Sequence, residues 1–485
     1  MGTLHQLSTS DNRQQTSELQ FLQALRRAVD GRVGAEASFE ERETTALELT
    51  NEATRLMLEQ DLQTIADSHG EGLLVDGRLF KQHEPGVVGY YSLCGTLEVS
   101  RWTYREVGVR NGPTLVPVEL QAGLVEHATP ALAYRVALGY AKGPMRSTEE
   151  DMLSDRRRPP SRSTLERMAK AIGTEAKRAA PRIEPHVRRA ERVPAEAVSV
   201  SLGLDRTSVP MEEDIPEGEC PEGRRRKRTK PYMREVPPRV NVNYRMAYVG
   251  TITLHDADGQ GLITRRYASA AHEPAESLVG RLMADLRSAL RQAPALAIGI
   301  VQDGAPEMWN LLRNALVKEP LVKTWYQAID RFHVNERLGE VLRLVEPDAT
   351  ARKQQLSRWN DSLDNTDQAI YRIRAWLRDR LVDAAATDDE QLIAQLDPHL
   401  TFFDNNAYLM RYVRLIEHGL PIGSGATEGA CRSVIGSRTK RSGQRWRPNG
   451  LEAVLTMRAT YMSERLPRFW THFSRGYRAE IRKCA

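Results

Sequence analysis

Three acidic residues of this chain stand where an α/β fold could bring them together. Asp205 follows an alternating apolar run at 198–204, Asp303 follows a nearly continuous apolar run at 295–301, and Glu428 lies in the first turn of a helix predicted to begin near Gly425. Converging carboxylates suit phosphodiester chemistry, in which two Mg²⁺ ions about 3.5–4 Å apart activate a water or 3′-hydroxyl and stabilise the leaving oxygen. Few protein ligands are needed, because the phosphate supplies others.

Each acid also has a simpler interpretation. Asp205 could be a turn residue after a strand, and the dipeptide Asp303-Gly304 is common in turns. Glu428 near a helix N-terminus contributes ~0.3–1 kcal/mol through the helix dipole alone. The functional interpretation depends on all three acids meeting.

The predicted secondary-structure elements from residue 195 onward occur in an order that would bring the three acids together. We predict strands ending at or near Asp205, then at 246–255 and 262–269, a helix at about 278–290, a strand at 295–301, a helix from Pro306 and a strand at 322–329. Three meandering strands followed by helix, strand, helix and strand is the order of an RNase H-like α/β domain. There the first and fourth strands are neighbours, and a third acid can come from the last helix.

The remaining chain divides into four further segments. Residues 1–127 form a helix and a small β module, with a helix at 19–29, a capping box at Ser38 and Glu41, and a hairpin around Cys94-Gly95. We predict that residues 128–194 are helical, that 195–337 form the first part of the RNase H-like domain, that 338–418 form an all-helical insertion, and that 419–485 hold the last helix and a basic tail.

Within 128–194, a helix at 147–155 and a second helix capped by Ser161 have the outline of a helix-turn-helix DNA reader. Arg162, Arg167 and Lys170 give the second helix a basic face. A packing helix with a solvated charged face has the same outline, so both interpretations stay open.

Composition excludes several classes of protein. The chain has 485 residues, 40 % of them hydrophobic, and a net charge of +5, which is enough apolar material for two to four domains. Its four cysteines form no C-x-x-C pair, which argues against a disulfide framework or a Cys-rich zinc site. No apolar run approaches the ~18 residues of a membrane span, and the N-terminus lacks a signal-peptide core. We expect a soluble cytoplasmic protein.

Three further motifs make the sequence resemble a known family. Gln302-Asp303-Gly304-Ala305, the run Asp330-Arg331-Phe332-His333 and the run from Gly423 to Glu428, GSGATE, occur in that order. Together they resemble the DDE transposases of bacterial insertion sequences, most closely the ISKra-type family of the Mutator-related group, over about 195–458. The dipeptide Asp205-Arg206 departs from the pattern, since Gly often follows the first acid. The N-terminal β region also lacks the cysteines of the zinc module that many relatives carry.

The resemblance implies a function and roles for single residues. Asp205, Asp303 and Glu428 would hold two Mg²⁺ or Mn²⁺ ions, with Asp330 and His333 in support. Asp330 is the rival for second acid, and His333 has a purely structural alternative. The partners would be transposon-end inverted-repeat DNA and target DNA, bound by a homodimer or larger assembly near the nucleoid, with no membrane involved.

Two basic segments could contact DNA phosphates. Six cations lie within 224–230, among them Arg224, Arg225, Arg226 and Lys227, although a solvated charge run or a nuclear-import signal is equally consistent. Residues 432–483 hold 13 Lys or Arg and 3 Asp or Glu. Four of these tail cations are predicted DNA contacts: Arg438, Lys440, Arg441 and Arg445. The second candidate function is a non-catalytic DNA-binding protein derived from a transposase. The third is a metal-free nuclease-fold scaffold.

Overall fold

A computed structural model describes residues 9–215, 240–270, 274–303 and 306–483. The chain folds into two compact units, one made of Met1–Glu175 with Trp470–Ala485 and the other of Ala176–Phe469. This grouping differs from the five sequential segments drawn from the sequence, because the last residues belong with the N-terminal unit. The fold is mixed α/β, as predicted.

The strands are β1 (Gly72–Val75), β2 (Arg78–Ser92), β3 (Gly95–Glu106), β4 (Ser199–Asp214), β5 (Val240–His255), β6 (Gly261–Ser269), β7 (Ala297–Gln302), β8 (Tyr326–Ile329) and β9 (Ile481–Lys483). The helices are α1 (Thr9–Val33), α2 (Phe39–Asp67), α3 (Pro117–Ala122), α4 (Pro130–Lys142), α5 (Met145–Ser154), α6 (Arg162–Arg189), α7 (Ala275–Gln292), α8 (Pro306–Val317), α9 (Arg331–Val345), α10 (Ala349–Asn365), α11 (Ala369–Ala386), α12 (Glu390–Asn406), α13 (Val413–Ile416), α14 (Gly425–Ala430), α15 (Ser437–Thr439), α16 (Pro448–Met462) and α17 (Leu466–Arg475). A 3₁₀ turn at Ala407–Leu409 precedes α13, and a π-helical turn at Cys431–Gly436 joins α14 to α15.

The first unit contains a four-stranded antiparallel sheet in the order β3-β2-β1-β9. The hairpin predicted around Cys94-Gly95 is confirmed, with Ser92 paired to Gly95, whose φ of 126° favours glycine. The predicted capping box is also confirmed, since Ser38 and Glu41 bond reciprocally at the start of α2. The helix expected at 19–29 was too short, because α1 runs from Thr9 to Val33.

The two helices of the predicted helix-turn-helix are present in the first unit as α5 and the beginning of α6. The apolar face predicted for the second helix is buried, with Leu165, Ala169 and Ile172 each at 0 % exposure. Arg167 and Lys170 lie on the exposed side, and Arg162 is exposed but bonded to Glu149 at 2.9 Å. These helices are therefore confirmed, whereas DNA recognition by them stays a prediction.

The second unit contains a five-stranded mixed sheet in the order β6-β5-β4-β7-β8. The first three strands are antiparallel neighbours, and β7 and β8 run parallel to β4. Helix α7 covers the sheet with its predicted leucine face, of which Leu278, Leu282 and Leu286 are fully buried. From α9 to α13 all described elements are helical.

In the second unit, three strand boundaries differ from the prediction by four residues or more. Strand β4 does not end at Asp205 but continues to Asp214, because its second half pairs residue by residue with 240–249 of β5. For the same reason β5 begins at Val240 rather than at 246. Strand β8 is shorter than predicted and begins at Tyr326, because only four of its residues pair with β7.

None of the helices in the described part of the chain is a candidate membrane span. Cys94 and Cys431 are buried free thiols, and the other two cysteines lie outside the described residues. Arg224, Arg225, Arg226 and Lys227 also lie outside them, as do Gly304 and Ala305.

Candidate active site

Asp205 lies within the central strand β4, half-buried and paired with Val249 of β5. Two residues earlier, Gly203 leaves room for the first turn of α14, since a Cβ there would stand 2.0 Å from Thr427 Oγ1. The Thr427 hydroxyl lies 2.6 Å from that of Thr251 on β5, so it joins α14 to the sheet. Glycine in β4 thus allows α14 to approach the strand that carries Asp205, and Glu428 follows Thr427 directly.

Two of the predicted acids influence the third electrostatically. Burial raises the pKa of the Asp205 carboxyl above its ordinary value, and the negative charges of Asp303 and Glu428 raise it further. A hydrogen bond from the Arg206 N–H, at 2.6 Å, opposes this rise, and so does one from the Cys431 thiol. Like charges held together disfavour the ionised form. The negative charges of Asp303 and Glu428 therefore both disfavour the ionised form of Asp205.

Cys431 is a member of this site that the sequence analysis missed. Its side chain is 8 % exposed, and burial together with the adjacent Asp205 raises the pKa of the thiol to about 12. The thiol is therefore protonated near neutrality and donates to the carboxylate. Cys431 stands three residues after Glu428, so the spacing of one helix face was the signal that could have found it.

Two side chains hold the Glu428 carboxylate from one direction. The Ser424 hydroxyl donates to Oε1 at 2.8 Å, and Nε2 of His333 lies 3.4 Å from the same oxygen. Glu428 is half-exposed, with 40 % of its side chain accessible, and it occupies the first turn of α14 as predicted. Its orientation is thus set by its own helix start and by α9.

His333 sits between carboxylates. Nδ1 lies 3.2 Å from Glu336, and Nε2 faces Glu428. Burial is the largest single influence and lowers the pKa of His333, but the hydrogen bond with Glu336 and the charges of Asp330 and Glu428 together outweigh it. The pKa of the imidazole therefore lies above its ordinary value, and the protonated ring is favoured beside Glu428.

Asp330, the rival for second acid, has a structural role in this fold. Only 2 % exposed, it caps α9 by accepting the Phe332 N–H at 2.6 Å through one oxygen, and the other oxygen accepts the Ser424 N–H. The parallel backbone bond from Arg331 N to Ile422 O measures 3.0 Å. Both carboxylate oxygens are therefore used to tie the start of α9 to the segment that begins α14. Asp303, by contrast, is exposed directly after β7.

The side chains of the three acids offer carboxylate oxygens, the ligand type that Mg²⁺ and Mn²⁺ prefer in proteins. Across residues 9–215, 240–270, 274–303 and 306–483, no group of three or more His, Cys, Asp or Glu is close enough to hold a metal ion. The charges of the acids therefore influence Asp205, but the described side chains do not form a complete metal-binding group.

A basic loop lies beside the same strand. Trp446 pairs with β4 through its backbone, donating to Pro210 O at 3.1 Å and accepting from Glu212 N at 2.8 Å. Within this loop, Lys440 donates to the Thr207 hydroxyl, two residues from Asp205. The tail cations Lys440, Arg441 and Arg445 are exposed.

Arg438 does not fit its predicted phosphate contact. It is 5 % exposed, and its guanidinium lies 5.0 Å from the centre of the Trp446 ring. The arginine packs inside the loop that presents the other cations. Arg206, the residue that departs from the family pattern, is turned toward α8 and pairs with Glu307 at 2.6 Å.

No protein-family model matches the sequence, and comparison with curated proteins gives no match. Function is therefore inferred from the chemistry and positions of these side chains.

Proposed function

We propose that the chain is a DDE-type DNA transposase. It would hydrolyse a DNA strand at each end of its element and then join the freed 3′-hydroxyls to target DNA by in-line attack. The observation that carries this proposal is the close approach of α14, which bears Glu428, to the strand that bears Asp205: Gly203 of β4 leaves room for Thr427, whose hydroxyl lies 2.6 Å from that of Thr251. The charges of Asp303, at the end of β7, and of Glu428, on α14, both act on Asp205 of β4, although 98 and 223 residues separate them from it in sequence.

The order of the sheet supports the proposal. In chain order within the second unit, the strands lie 3-2-1-4-5, with the first three antiparallel and the last two parallel. An RNase H-like domain requires this arrangement, with its first and fourth strands adjacent. In such a domain, the helices between β8 and α14 would be the all-helical insertion.

Asp205, Asp303 and Glu428 would hold two Mg²⁺ or Mn²⁺ ions, which when bound supply activation of the attacking oxygen and stabilisation of the leaving oxygen. Ser424 and His333 orient Glu428, and Asp330 fixes the segment from which α14 begins. Lys440, Arg441 and Arg445 would contact phosphates beside the acids. Helices α5 and α6 would recognise the element ends, and two ends handled together require a dimer or larger assembly.

The test is Mg²⁺-dependent 3′-end cleavage of DNA that carries the inverted repeats flanking the element. Asp303→Asn should abolish cleavage and leave DNA binding intact, whereas Asp258→Asn, in the exposed turn after β5, should behave as wild type. Cleavage that persists in Asp303→Asn would show that the assigned triad is wrong.

A non-catalytic DNA-binding protein derived from a transposase is the second candidate. Two observations favour it: the contacts that Ser424 and His333 make with Glu428, and the lack of a metal-holding group among the described residues. DNA binding without cleavage by the wild-type protein, in either Mg²⁺ or Mn²⁺, would select this function.

A further inference from the structure

An open groove of about 470 Å³ runs between α9 and α10 in the second unit. Phe332, Gly339 and Arg343 line it from α9, and Arg352 and Lys353 line it from α10. The α9 residues recur at helical spacing, so they form one face. Gly339 lies mid-helix on that face, and a Cβ there would meet only the end of the Arg343 side chain, at 4.0 Å. The missing side chain keeps the groove open.

One end of the groove adjoins the candidate active site. Phe332 stands at this end with 60 % of its surface exposed, although large apolar side chains are usually buried. The next residue, His333, contacts Glu428, and its ring lies edge-on to Phe332 with centroids 5.9 Å apart. A ligand that leaves the acids along α9 would meet the Phe332 ring first.

The charge of the groove is positive. Arg343 and Lys353 are exposed, and Arg352 is held by the carbonyls of Glu346 and Pro347 at 2.8 and 2.9 Å. The acidic side chain in the lining, Glu336, is paired with His333. Three cations and an exposed aromatic ring in a channel are the features with which proteins bind single-stranded nucleic acid, by phosphate contact and base stacking.

The exposed Phe332 ring favours a single strand over a duplex. An aromatic side chain can stack on an unpaired base, whereas a base inside a duplex is already stacked on both of its faces. A duplex could therefore contact the cations of the groove but would not offer a base to the Phe332 ring.

We propose that the α9–α10 groove binds a short single-stranded stretch of the DNA strand that is processed at the acids. Phe332 stacks on an unpaired base, and Arg343, Arg352 and Lys353 contact the adjoining phosphates. This inference rests on the proposed function, because it takes DNA as the substrate of the neighbouring site.

The test uses fluorescein-labelled dT12, with the dT12·dA12 duplex for comparison, in anisotropy titrations of the full chain at fixed salt. Phe332→Ala should weaken dT12 binding roughly tenfold, the loss expected when one stacked base is lost. Gly339→Gln should weaken it similarly by filling the groove. Gly280→Gln, the same change at an exposed glycine of α7 whose Cβ would meet nothing within 4 Å, should bind as wild type. Duplex affinity should change less in every variant.

Both variants should fold, because Phe332 is exposed and replacing a mid-helix glycine favours the helix; thermal melting checks this. If Phe332→Ala and Gly339→Gln both bind dT12 like wild type, the groove is not the site. A second measurement photocrosslinks dT12 that carries one 5-iododeoxyuridine. The crosslinked peptide should contain Phe332, and crosslinks confined to 440–447 would overturn the inference.

These measurements need no cleavage, so the two proposals can fail separately. A wild-type protein that never cleaves but binds dT12 through Phe332 contradicts the transposase and supports the groove. If cleavage depends on Asp303 but the affinity for dT12 is unchanged in Phe332→Ala, the groove proposal is wrong and the transposase proposal stands.

Discussion

Two clusters of charged side chains in the second unit differ in how their carboxylates are neutralised. In one, among α6, α7 and the segment after α16, every carboxylate faces a guanidinium: Arg188 lies 2.6 Å from Asp285, and Arg465 lies 3.0 Å from Asp285 and 2.6 Å from Glu191. The Tyr267 hydroxyl donates to Asp285 at 2.7 Å. In the other, acidic cluster, the half-buried Asp205 experiences the negative charges of two further acids, Asp303 and Glu428.

The pKa shifts of the two clusters reflect this difference. Burial lowers the pKa of Arg465, yet the surrounding negative charges more than reverse the effect and leave it well above its ordinary value. At Asp205, burial and the neighbouring acids both act against the charged form. The paired cluster stabilises its own ionisation and has a structural role. Around Asp205 the neighbouring acids oppose ionisation, and a bound divalent cation would reverse that effect.

The largest expected effect is on cleavage. Asp205→Asn should lower the cleavage rate by roughly 10²–10⁴-fold, because a metal site supplies several kcal/mol of transition-state stabilisation. The metal-free variant should melt no lower than wild type, since Asn still accepts from the Arg206 N–H and the repulsion is removed. Cleavage assays and thermal melting check the two halves. Asp214→Asn, at the outer end of the same strand, is the matched control and should cleave normally.

The paired cluster should respond in the opposite way. Asp285→Asn leaves Arg188 and Arg465 without their shared buried partner and should lower the free energy of unfolding by about 3–5 kcal/mol. Asp383→Asn removes a surface pair with Arg380, at 3.3 Å, and should cost less than about 1 kcal/mol. Urea unfolding of both variants measures the contrast. Equal losses would mean that burial of the pair makes no difference to its contribution.

Added metal ions should stabilise the protein through the acidic cluster and have no effect on the paired cluster. Mg²⁺ or Mn²⁺ at a hundred times its dissociation constant should stabilise the wild-type protein by about 2.7 kcal/mol. Asp205→Asn should lose most of this gain, whereas Asp383→Asn should keep all of it. Melting curves with and without the ion, at constant ionic strength, make the measurement. The same gain in all three proteins would place the metal elsewhere.

The sequence predicted those features that local chemistry determines. The Ser38 capping box, the hairpin at Gly95 and the leucine face of α7 were correct because each depends on residues a few positions apart. The predicted end of β4 was wrong. The second half of the strand contains mostly polar residues, and because it is held by pairing with β5, its sequence does not alternate between apolar and polar residues. The pairing of β9 with β1 joins residues about 400 positions apart, and no local pattern encodes it.

The candidate site divides in the same way. The strand end before Asp303 and the helix start at Glu428 were predicted correctly, whereas Asp205 lies inside β4 rather than at its end. The contact between Asp330 and Ser424 could not be foreseen, because it depends on how closely the start of α9 approaches the segment before α14. The residues of the paired cluster, such as Glu191, Asp285 and Arg465, have no spacing that predicts their meeting.

The smallest expected effect concerns the hydrogen bond that orients the Glu428 carboxylate. Ser424→Ala removes one neutral-to-charged hydrogen bond to Glu428, worth about 1.5–3 kcal/mol, but His333 still faces the same oxygen. We therefore expect only a few-fold to tenfold loss of cleavage rate with unchanged DNA affinity. Ser424→Thr, which keeps the hydroxyl, should restore most of the rate. If Ser424→Ala abolishes cleavage as completely as Asp205→Asn, then Ser424 acts on the reacting atoms rather than by orienting Glu428. If the rate does not change at all, His333 alone is sufficient to orient that carboxylate.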